Sequence, residues 1–563
     1  MIPETIEKIP DDILLCIFRH HLGATPRFWP TLASVCRIWR QIVFSTPLGL
    51  NLRLYCTYGT HFLKTLDLWP SLPIVVQYGG FLDLDPPTPE DDENIITALK
   101  QSGRVGSISL TITSSLFERL SAISDPFLEL EELTLLSLDN MQPPFPNSFG
   151  WGSRLRTLQS TRISLPSLPQ LLLPSRDLVD IQLLEIPSAG YFSPDAFAGA
   201  ISEMTQLETL SLHFLSLPPR RSYLRLPPQS GERIILPSLT HLKYRGTSKY
   251  LDSLVGWIDA PRLGDIDVTI FFQPTMDALQ LGRFIERIEM QASLSQAEIQ
   301  TSARAISLCI SQPGAPPRVK LQISCERLDW QLSSMTQICN RFSPFLFRLN
   351  DVGISSTQSS SRRGDMDGDS WSELIAALGG ANDFRVSGVH VTDILCALHP
   401  AHGAQTTDTT MLPSLSNLRV EQPMTTYGSL WDAVQSFITS RWLSARPVVL
   451  YAQGYRCHIC HKSFTEQQRL KRHLGDRHAY RIVCSHCGDF EWQPDHNTVL
   501  REHREHKHPE IARNDPLIWN HHLSFQVNSL VYWHCSLRPP GVVPQPRLRV
   551  PTDRDFRLDP SVA

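Results

Sequence analysis

The sequence has little net charge and no long apolar run. Its 52 lysine and arginine residues nearly balance 56 aspartate and glutamate residues, which leaves a formal net charge of −4. This balance argues against a protein that coats nucleic acid over its whole surface, although one basic module can hide in the average. No stretch approaches the roughly 20 apolar residues that cross a bilayer, and the N-terminus lacks a secretory signal. We therefore expect an intracellular protein, nuclear or cytoplasmic, without a membrane partner.

Motifs of the common enzyme classes are missing as well. The sequence contains no phosphate-binding Walker loop, no G-x-S-x-G nucleophile motif, no protein-kinase motif set and no HExxH zinc-protease motif. We therefore expect a protein that is not an enzyme. With 563 residues, 41% of them hydrophobic, the chain is long enough for roughly four folded modules.

The twelve cysteines are distributed as in a reduced protein. Seven lie far apart between Cys16 and Cys396, a spacing typical of buried thiols rather than of a disulfide framework. The other five lie between Cys457 and Cys535 and include two C-x-x-C pairs with histidines downstream. This pattern indicates metal binding by the last part of the sequence.

The first fifty residues predict two or three short helices. Pro10, Asp11 and Asp12 form a favourable helix start, because proline suits the first helical position and acids favour the positive end of the helix dipole. Apolar residues at helical spacing then predict one apolar face, made of Ile13, Leu14, Ile17, Phe18 and Leu22. A second helical pattern starts at Pro30, and one of its sides carries Leu32, Val35, Cys36, Trp39 and Val43. Helices this small bury too little surface alone, so we expect them to pack on a partner or on the following domain.

This segment resembles the F-box family, in the form common in mushroom-forming fungi. That form begins Leu-Pro-x-x-Ile-Leu and continues with Val-Cys-x-x-Trp, and Ile9 stands here in place of the usual first leucine. The remaining matches are Pro10, Ile13, Leu14, Ile17, Phe18, Val35, Cys36 and Trp39. The resemblance implies docking to the Skp adaptor of a Skp/cullin/F-box ubiquitin ligase, with adaptor-binding residues Ile9, Pro10, Ile13, Leu14, Ile17 and Trp39. A helical cap on the next domain is the alternative.

An L-x-x-L-x-L pattern recurs from about residue 100. Its first positions are Val105, Leu130, Leu155, Leu178, Leu207, Leu239 and Leu263. The steps between them, 25, 25, 23, 29, 32 and 24 residues, lie mostly in the range of leucine-rich repeats. We therefore predict one parallel strand per repeat, alternating with helices such as those at 93–101 and 371–378, in an α/β solenoid. An ordinary leucine-rich α/β domain is the alternative.

The end of the repeats predicts a tryptophan-rich helix. One broad apolar stripe is formed by Leu430, Trp431, Val434, Phe437, Ile438 and Trp442. We expect this helix to close the end of the solenoid, and a partner groove is the alternative. Residues 355–369 are polar and interrupted by glycine, which predicts a mobile loop.

The first C-x-x-C pair has the spacing of a structural zinc site. Twelve residues separate its second cysteine from a histidine and four more precede the next, so the predicted ligands are Cys457, Cys460, His473 and His478. At this spacing two thiolates in a hairpin turn can meet two imidazoles on one helix face. With Phe464 and Leu470 as a small apolar core, residues 457–478 resemble a C2H2 zinc finger, which we name finger one.

A second, less regular segment predicts another zinc site, finger two, at residues 484–508. Its ligands are Cys484, Cys487, His503 and His508, with fifteen residues between the second cysteine and the first histidine. His506 is an alternative to His508, and a metal-free segment is the alternative to the whole site. Because the protein supplies four ligands at each site, no position remains for water or substrate, and a structural zinc ion is expected.

Finger one carries a basic surplus that suits nucleic acid. Residues 456–481 hold seven basic and two acidic side chains, and counting back from His473 places Glu466, Arg469 and Arg472 at the base-reading positions. Residues 482–512, however, hold three basic and six acidic side chains, and one finger covers only about three base pairs. We therefore favour protein binding or structural capping for the fingers, with nucleic-acid binding as the alternative.

The sequence as a whole predicts a multidomain α/β protein that binds zinc. Residues 1–50 form an F-box-like helical module, 51–445 a leucine-rich-repeat-like solenoid, 446–512 two C2H2-type ββα fingers and 513–563 a partly disordered tail. The expected function is an adaptor that brings an unknown protein substrate to a Skp/cullin/F-box ubiquitin ligase. A C2H2 zinc-finger nucleic-acid-binding regulator is the alternative.

A peptide of residues 453–480 should be unfolded without metal and gain helix from Thr465 onward with one equivalent of zinc. A unit of about 25 residues buries too little surface to fold alone, so zinc should supply about 10 kcal/mol or more of its folding free energy. The Cys457→Ser peptide should stay unfolded, and the solenoid should hardly respond to the ion. Circular dichroism during a zinc titration measures the gain, and equal helicity in the presence of a chelator contradicts the prediction.

Overall fold

The computed structural model of the protein describes most of the chain up to residue 456. The described residues are 9–24, 26–58, 62, 66, 72–78, 88–138, 145–146, 149–216, 233–276, 278–288, 294–356, 369–398, 411–423, 429–444 and 446–456, with short segments at 463–464, 481–483, 490–492 and 530–535. Within this part of the chain, every helix is too short or too polar to cross a bilayer.

Strands and helices are interspersed along the described chain. The strands are β1 (Leu54–Cys56), β2 (Ile74–Tyr78), β3 (Val105–Ile112), β4 (Glu132–Ser137), β5 (Thr157–Thr161), β6 (Asp180–Ile186), β7 (Thr209–Phe214), β8 (Ile234–Ile235), β9 (His241–Gly246), β10 (Ile258–Asp259), β11 (Asp265–Phe271), β12 (Gln296–Thr301), β13 (Ala305–Ser311), β14 (Val319–Ser324), β15 (Asp351–Ser356), β16 (Asp383–Gly388), β17 (Asn417–Pro423), β18 (Val449–Arg456), β19 (Ser463–Phe464), β20 (Arg481–Val483), β21 (Phe490–Trp492) and β22 (Leu530–Cys535). The helices are α1 (Asp11–Ala24), α2 (Trp29–Val35), α3 (Arg37–Ser45), α4 (Pro89–Leu99), α5 (Ser114–Leu120), α6 (Leu168–Leu172), α7 (Pro194–Ile201), α8 (Ser248–Trp257), α9 (Leu279–Glu286), α10 (Leu328–Arg341), α11 (Ser343–Leu346), α12 (Asp369–Ala376), α13 (Val391–Ala397) and α14 (Ser429–Leu443). This is a mixed α/β fold with a mostly parallel sheet, as the sequence predicts.

The first of two compact units contains a long parallel sheet. This unit comprises Met1–Leu294 and Ala315–Ser324, and the second comprises Ser295–Gly314 and Cys325–Ala563. In the first unit the strands follow the order β1-β2-β3-β4-β5-β6-β7-β9-β11-β14, and every neighbouring pair is parallel. The seven predicted repeat strands therefore lie in one sheet, in chain order, and that prediction is confirmed.

A buried apolar column crosses this sheet. The second apolar position of each repeat pairs in register with that of the next, in the series Ile108, Leu133, Leu158, Ile181, Leu210, Leu242 and Ile266. All seven side chains are at most 2% exposed. Since apolar burial contributes about 25 cal/mol per Å² of area removed from water, this continuous column is a main source of the stability of the unit.

Three short helices precede the sheet in the first unit. α1 begins where the sequence predicts. The single helical pattern predicted from Pro30 is instead two helices, because Cys36 is extended and its thiol accepts a hydrogen bond from the Trp39 amide at 3.5 Å. The Trp29 indole donates to the Arg53 carbonyl at 2.8 Å, which ties α2 to the residue before β1.

The second unit also alternates parallel strands with helices. β12, β15, β16, β17 and β18 are parallel neighbours in that order, and β13 and β22 pair antiparallel with β12 and β18. The stripe on α14 buries Val434, Phe437 and Ile438 as predicted. The expectation that this helix closes the sheet is wrong, because β18 adds a further parallel strand after it. Most of the predicted mobile loop, residues 357–368 between β15 and α12, lies outside the described residues.

Leu158→Ala should destabilise the first unit by about 2–5 kcal/mol, because it leaves a cavity in the middle of the buried column. Leu138→Ala is the matched control: Leu138 is 62% exposed, and its removal should change stability by no more than about 0.5 kcal/mol. The urea midpoint of the full chain measures both effects. Equal midpoints for the two variants contradict the role given to the column.

Candidate functional site

Helix α1 places its apolar residues on two different sides. Leu14 and Phe18 are buried within the chain, whereas Ile13 and Ile17 are 48% and 49% exposed. The Phe18 ring meets the Trp39 ring edge-on at a centroid distance of 4.8 Å. The one apolar face predicted from the sequence is thus two faces, and Leu14 is a residue of the chain's own core rather than one that an adaptor can reach.

The other predicted adaptor-binding residues lie near the exposed side of α1 or pack beneath it. Pro10 is exposed and Ile9 is half-buried, so Pro10, Ile13 and Ile17 follow each other at spacings of three and four residues. This spacing puts them on one helical stripe. Trp39 is half-buried, and its indole Nε1 is buried with no hydrogen-bond partner among the described residues. Trp39 therefore supports the position of α1 through its contact with Phe18, and only part of the Trp39 side chain is accessible to a partner.

The structure exposes further apolar side chains in the same helical module. Val35 is 52% exposed, and Ile38 and Phe44 are each 37% exposed on α3. The sequence pattern placed Val35 on the same helix side as Trp39 and Val43, but the extended residue Cys36 ends α2 and a new helix starts after it. Cysteine is an uncommon N-cap residue, so no signal in the sequence indicated this break.

Antiparallel hairpins flank both C-x-x-C pairs. The end of β18 pairs with β19, with Tyr455 opposite Phe464, and the first pair lies in the segment between these strands. β20 pairs with β21, with Val483 opposite Phe490, around the second pair. A hairpin at this place is what two thiolates need in order to approach one ion from a turn.

Strand β18 belongs both to the sheet and to the hairpin of finger one. It pairs in parallel with β17 through residues 449–453 and antiparallel with β19 through Tyr455 and Arg456. β22 occupies its other edge, with Leu530 opposite Tyr455. β18 therefore ends at Arg456, directly before Cys457, and both β19 and β22 pair with it. No linker separates the sheet from finger one.

The predicted metal ligands themselves lie outside the described residues. These are Cys457, Cys460, His473, His478, Cys484, Cys487, His503 and His508. The base-reading residues Glu466, Arg469 and Arg472 lie outside them too. In the part of the chain that is described, no three His, Cys, Asp or Glu side chains are grouped so that they could hold a metal ion.

The structure also contains a polar groove that the sequence analysis did not single out. It has a volume of about 330 Å³ and crosses β1–β4 on the face opposite to the buried column. Six of its eight lining residues are Arg53, Tyr55, Gln77, Ser107, Ser109 and Glu132. Alternating polar residues in the strands were its only signal, and alternation predicts a solvated face without distinguishing a groove from ordinary surface.

The chain matches no protein-family model and no curated protein. Functional inference therefore depends on its own residues and geometry. Two surfaces and one pair of segments remain as candidates: the stripe Pro10, Ile13 and Ile17, the polar groove, and the two fingers.

Zinc should slow amide hydrogen exchange in β18 and β22. Finger one directly follows β18, and β22 pairs with β18, so an ion bound in finger one should stabilise both strands. We expect protection of peptides covering 450–456 and 530–535 to rise about tenfold or more when zinc is added to the metal-free full chain. This revises the expectation that the solenoid hardly responds to the ion. Hydrogen exchange measured by mass spectrometry reads the effect directly.

The matched variants for this measurement are two cysteine substitutions. Cys460→Ser should remove the zinc-dependent protection, whereas Cys396→Ser, at an exposed free cysteine on α13, should retain it. Zinc content is determined on the same samples. Bound zinc with unchanged exchange in β18 contradicts the coupling while leaving the metal site standing.

Proposed function

We propose that this chain is a zinc-binding F-box-like adaptor, a substrate-recognition subunit of a Skp/cullin/F-box ubiquitin ligase. The observation that carries the proposal is the division of α1. Leu14 and Phe18 hold the helix on its own chain, while Pro10, Ile13 and Ile17 form an exposed apolar stripe. Such a stripe suits a partner with an apolar groove, because docking removes its side chains from water.

The parallel sheet supports the second half of this role. Its buried column leaves the opposite face of the first unit to polar side chains and to the groove across β1–β4. Repeats that stack in this way offer an extended surface, and the surface residues determine which protein is bound. As an adaptor the chain needs no catalytic group of its own, since its partners in the ligase supply the chemistry.

Zinc has a structural part in this proposal. The ion would be held by Cys457, Cys460, His473 and His478 in finger one and by Cys484, Cys487, His503 and His508 in finger two. The hairpins around both C-x-x-C pairs support these ligand sets, and thiolate with imidazole is a preferred donor combination for zinc. When bound, zinc supplies folding free energy to segments too small to fold alone.

The double substitution Ile13→Asp with Ile17→Asp should weaken binding of a purified Skp-type adaptor. Each isoleucine loses burial worth about 1.5 kcal/mol or more, so the double variant should bind about 3 kcal/mol more weakly, which is about a hundredfold in affinity. Because both side chains are exposed, the chain should fold normally, and circular dichroism checks this. Calorimetric titration of the adaptor measures the affinity.

Ile235→Asp is the matched control, because Ile235 is 61% exposed and lies on β8, away from the helical module. It should bind the adaptor like the unchanged chain. Equal affinity of the double variant and the control contradicts the proposed docking surface. Salt-sensitive DNA binding that is lost in Arg469→Ala and Arg472→Ala favours the nucleic-acid regulator instead.

A further inference from the structure

The polar groove across β1–β4 carries opposite charges at its two sides. Arg53 precedes β1 and Glu132 begins β4, three strand steps away. By the strand register Glu132 is level with Tyr55, so Arg53 is also two residues further along the strand. At roughly 4.8 Å per strand step and 3.3 Å per residue, the two backbone positions are about 16 Å apart. Arg53 Nε donates to Asn51 Oδ1 at 3.3 Å, and Glu132 accepts from Ser107 Oγ at 3.1 Å. Within the described part of the chain, neither charged group has an ion-pair partner. Both can therefore take a charged ligand group.

A second guanidinium on the Arg53 side is already engaged. Arg27 lies over the Tyr55 ring, 5.7 Å from its centroid, and donates a hydrogen bond to Gln77 Oε1. Burial raises the pKa of Tyr55, while Arg53 and Arg27 both act against this rise, in keeping with two cations close to the phenol. No described residue accepts a hydrogen bond from Arg53 Nη1 or Nη2. This fork matches the two oxygens of a single carboxylate.

Neutral hydrogen-bonding side chains line the floor between the two charges. Gln77, Ser109 and Thr134 are neighbours on β2, β3 and β4 by the strand register, and Val75 is the one aliphatic side chain among the eight that line the groove. Sites for small organic ligands are mostly apolar, so this lining favours a polar ligand. The amides of an extended peptide provide evenly spaced partners for such a row of hydroxyl and amide groups.

We propose that the groove binds an extended peptide segment in which an acidic and a basic residue stand about four positions apart. At roughly 3.3 Å per residue, four steps of extended chain cover about 13 Å, and the long side chains of Arg53 and Glu132 span the remaining few ångströms. The acidic side chain pairs with Arg53, the basic side chain pairs with Glu132, and the neutral residues bond the backbone between them. The inference rests on the proposed function, because this segment would be the recognition element of the protein substrate.

The test uses the full chain and labelled eight-residue peptides with a serine and alanine background. We expect a peptide with Glu and Lys four positions apart to bind at least about tenfold more tightly than one with Glu and Lys adjacent, as measured by fluorescence anisotropy. Equal binding of the two peptides overturns the proposal. So does a phosphoserine version that binds more than about tenfold more tightly than the glutamate peptide, because the groove then selects phosphate rather than carboxylate.

Charge reversal tests the assignment of each end. Arg53→Glu and Glu132→Arg should each weaken the four-spaced peptide by about tenfold or more. The double variant should bind within about threefold of the unchanged chain, because the peptide can lie in the opposite direction with both pairs restored. A double variant as weak as either single variant overturns the proposal.

Two controls separate this proposal from the proposed function. Lys320→Glu, on β14 of the same sheet, should leave peptide binding unchanged and so exclude a general field effect of the sheet face. All groove variants should retain Skp-type adaptor binding, which also shows that they are folded. An unchanged chain that binds the adaptor but does not distinguish the two peptides rejects the groove alone. An unchanged chain that distinguishes the peptides but does not bind the adaptor rejects the ligase role.

Discussion

Register along the parallel ladder is the constraint on which the first unit depends. Each strand buries its apolar side by continuing the column of its neighbour, as Leu158 does between Leu133 and Ile181. A shift of the pairing by one residue would place Gln159 in the core and Leu158 in water. The pairing register is therefore kept even where the repeat length changes. From one strand to the next the chain uses 23 residues at the shortest of the predicted steps and 32 at the longest. The longer steps add residues only between the strands, and the pairing of the buried column is the same from strand to strand.

The regular part of this ladder could be predicted from the sequence because its signal is local. Each repeat carries its own apolar positions. The repeat starts at Val105, Leu130 and the later first positions therefore predict both the strands and their order. The pairing of β14 with β11 could not be predicted in this way. In the sequence, the antiparallel hairpin of β12 and β13 lies between β11 and β14. In the sheet, Val319 of β14 pairs with Ile266 of β11, 53 residues earlier. β14 joins β11 because Val319 extends the buried column beyond Ile266. No single segment of the sequence contains that information.

The candidate sites differ in the same way: some can be predicted from a local segment, and others depend on contacts between distant segments. Cysteine and histidine spacing defines a metal site within about 25 residues, so local sequence is enough to predict fingers one and two, and their ligands remain a prediction. The connection of finger one to the sheet depends on the pairing of β18 with β17 and β22, which no local spacing of residues predicts. The division of α1 is similar: helical spacing placed Ile13 and Leu14 together, and only the position of Trp39 beside Phe18 decides which of them is buried. The groove joins residues from four strands and has no local signature at all.

Contacts within the first unit tie the helical module to the strands that form the groove. The Trp29 indole donates to the Arg53 carbonyl, and Arg27, which lies between α1 and α2, donates to Gln77 in the groove. In the proposed function, a partner docked on Pro10, Ile13 and Ile17 is therefore connected to the groove through these hydrogen bonds rather than through a free linker. Ubiquitin transfer requires a bound substrate to be held at a defined place relative to the ligase. In the proposed function, the groove on β1–β4 meets that requirement, because these hydrogen bonds join its strands to the helices that carry the exposed stripe.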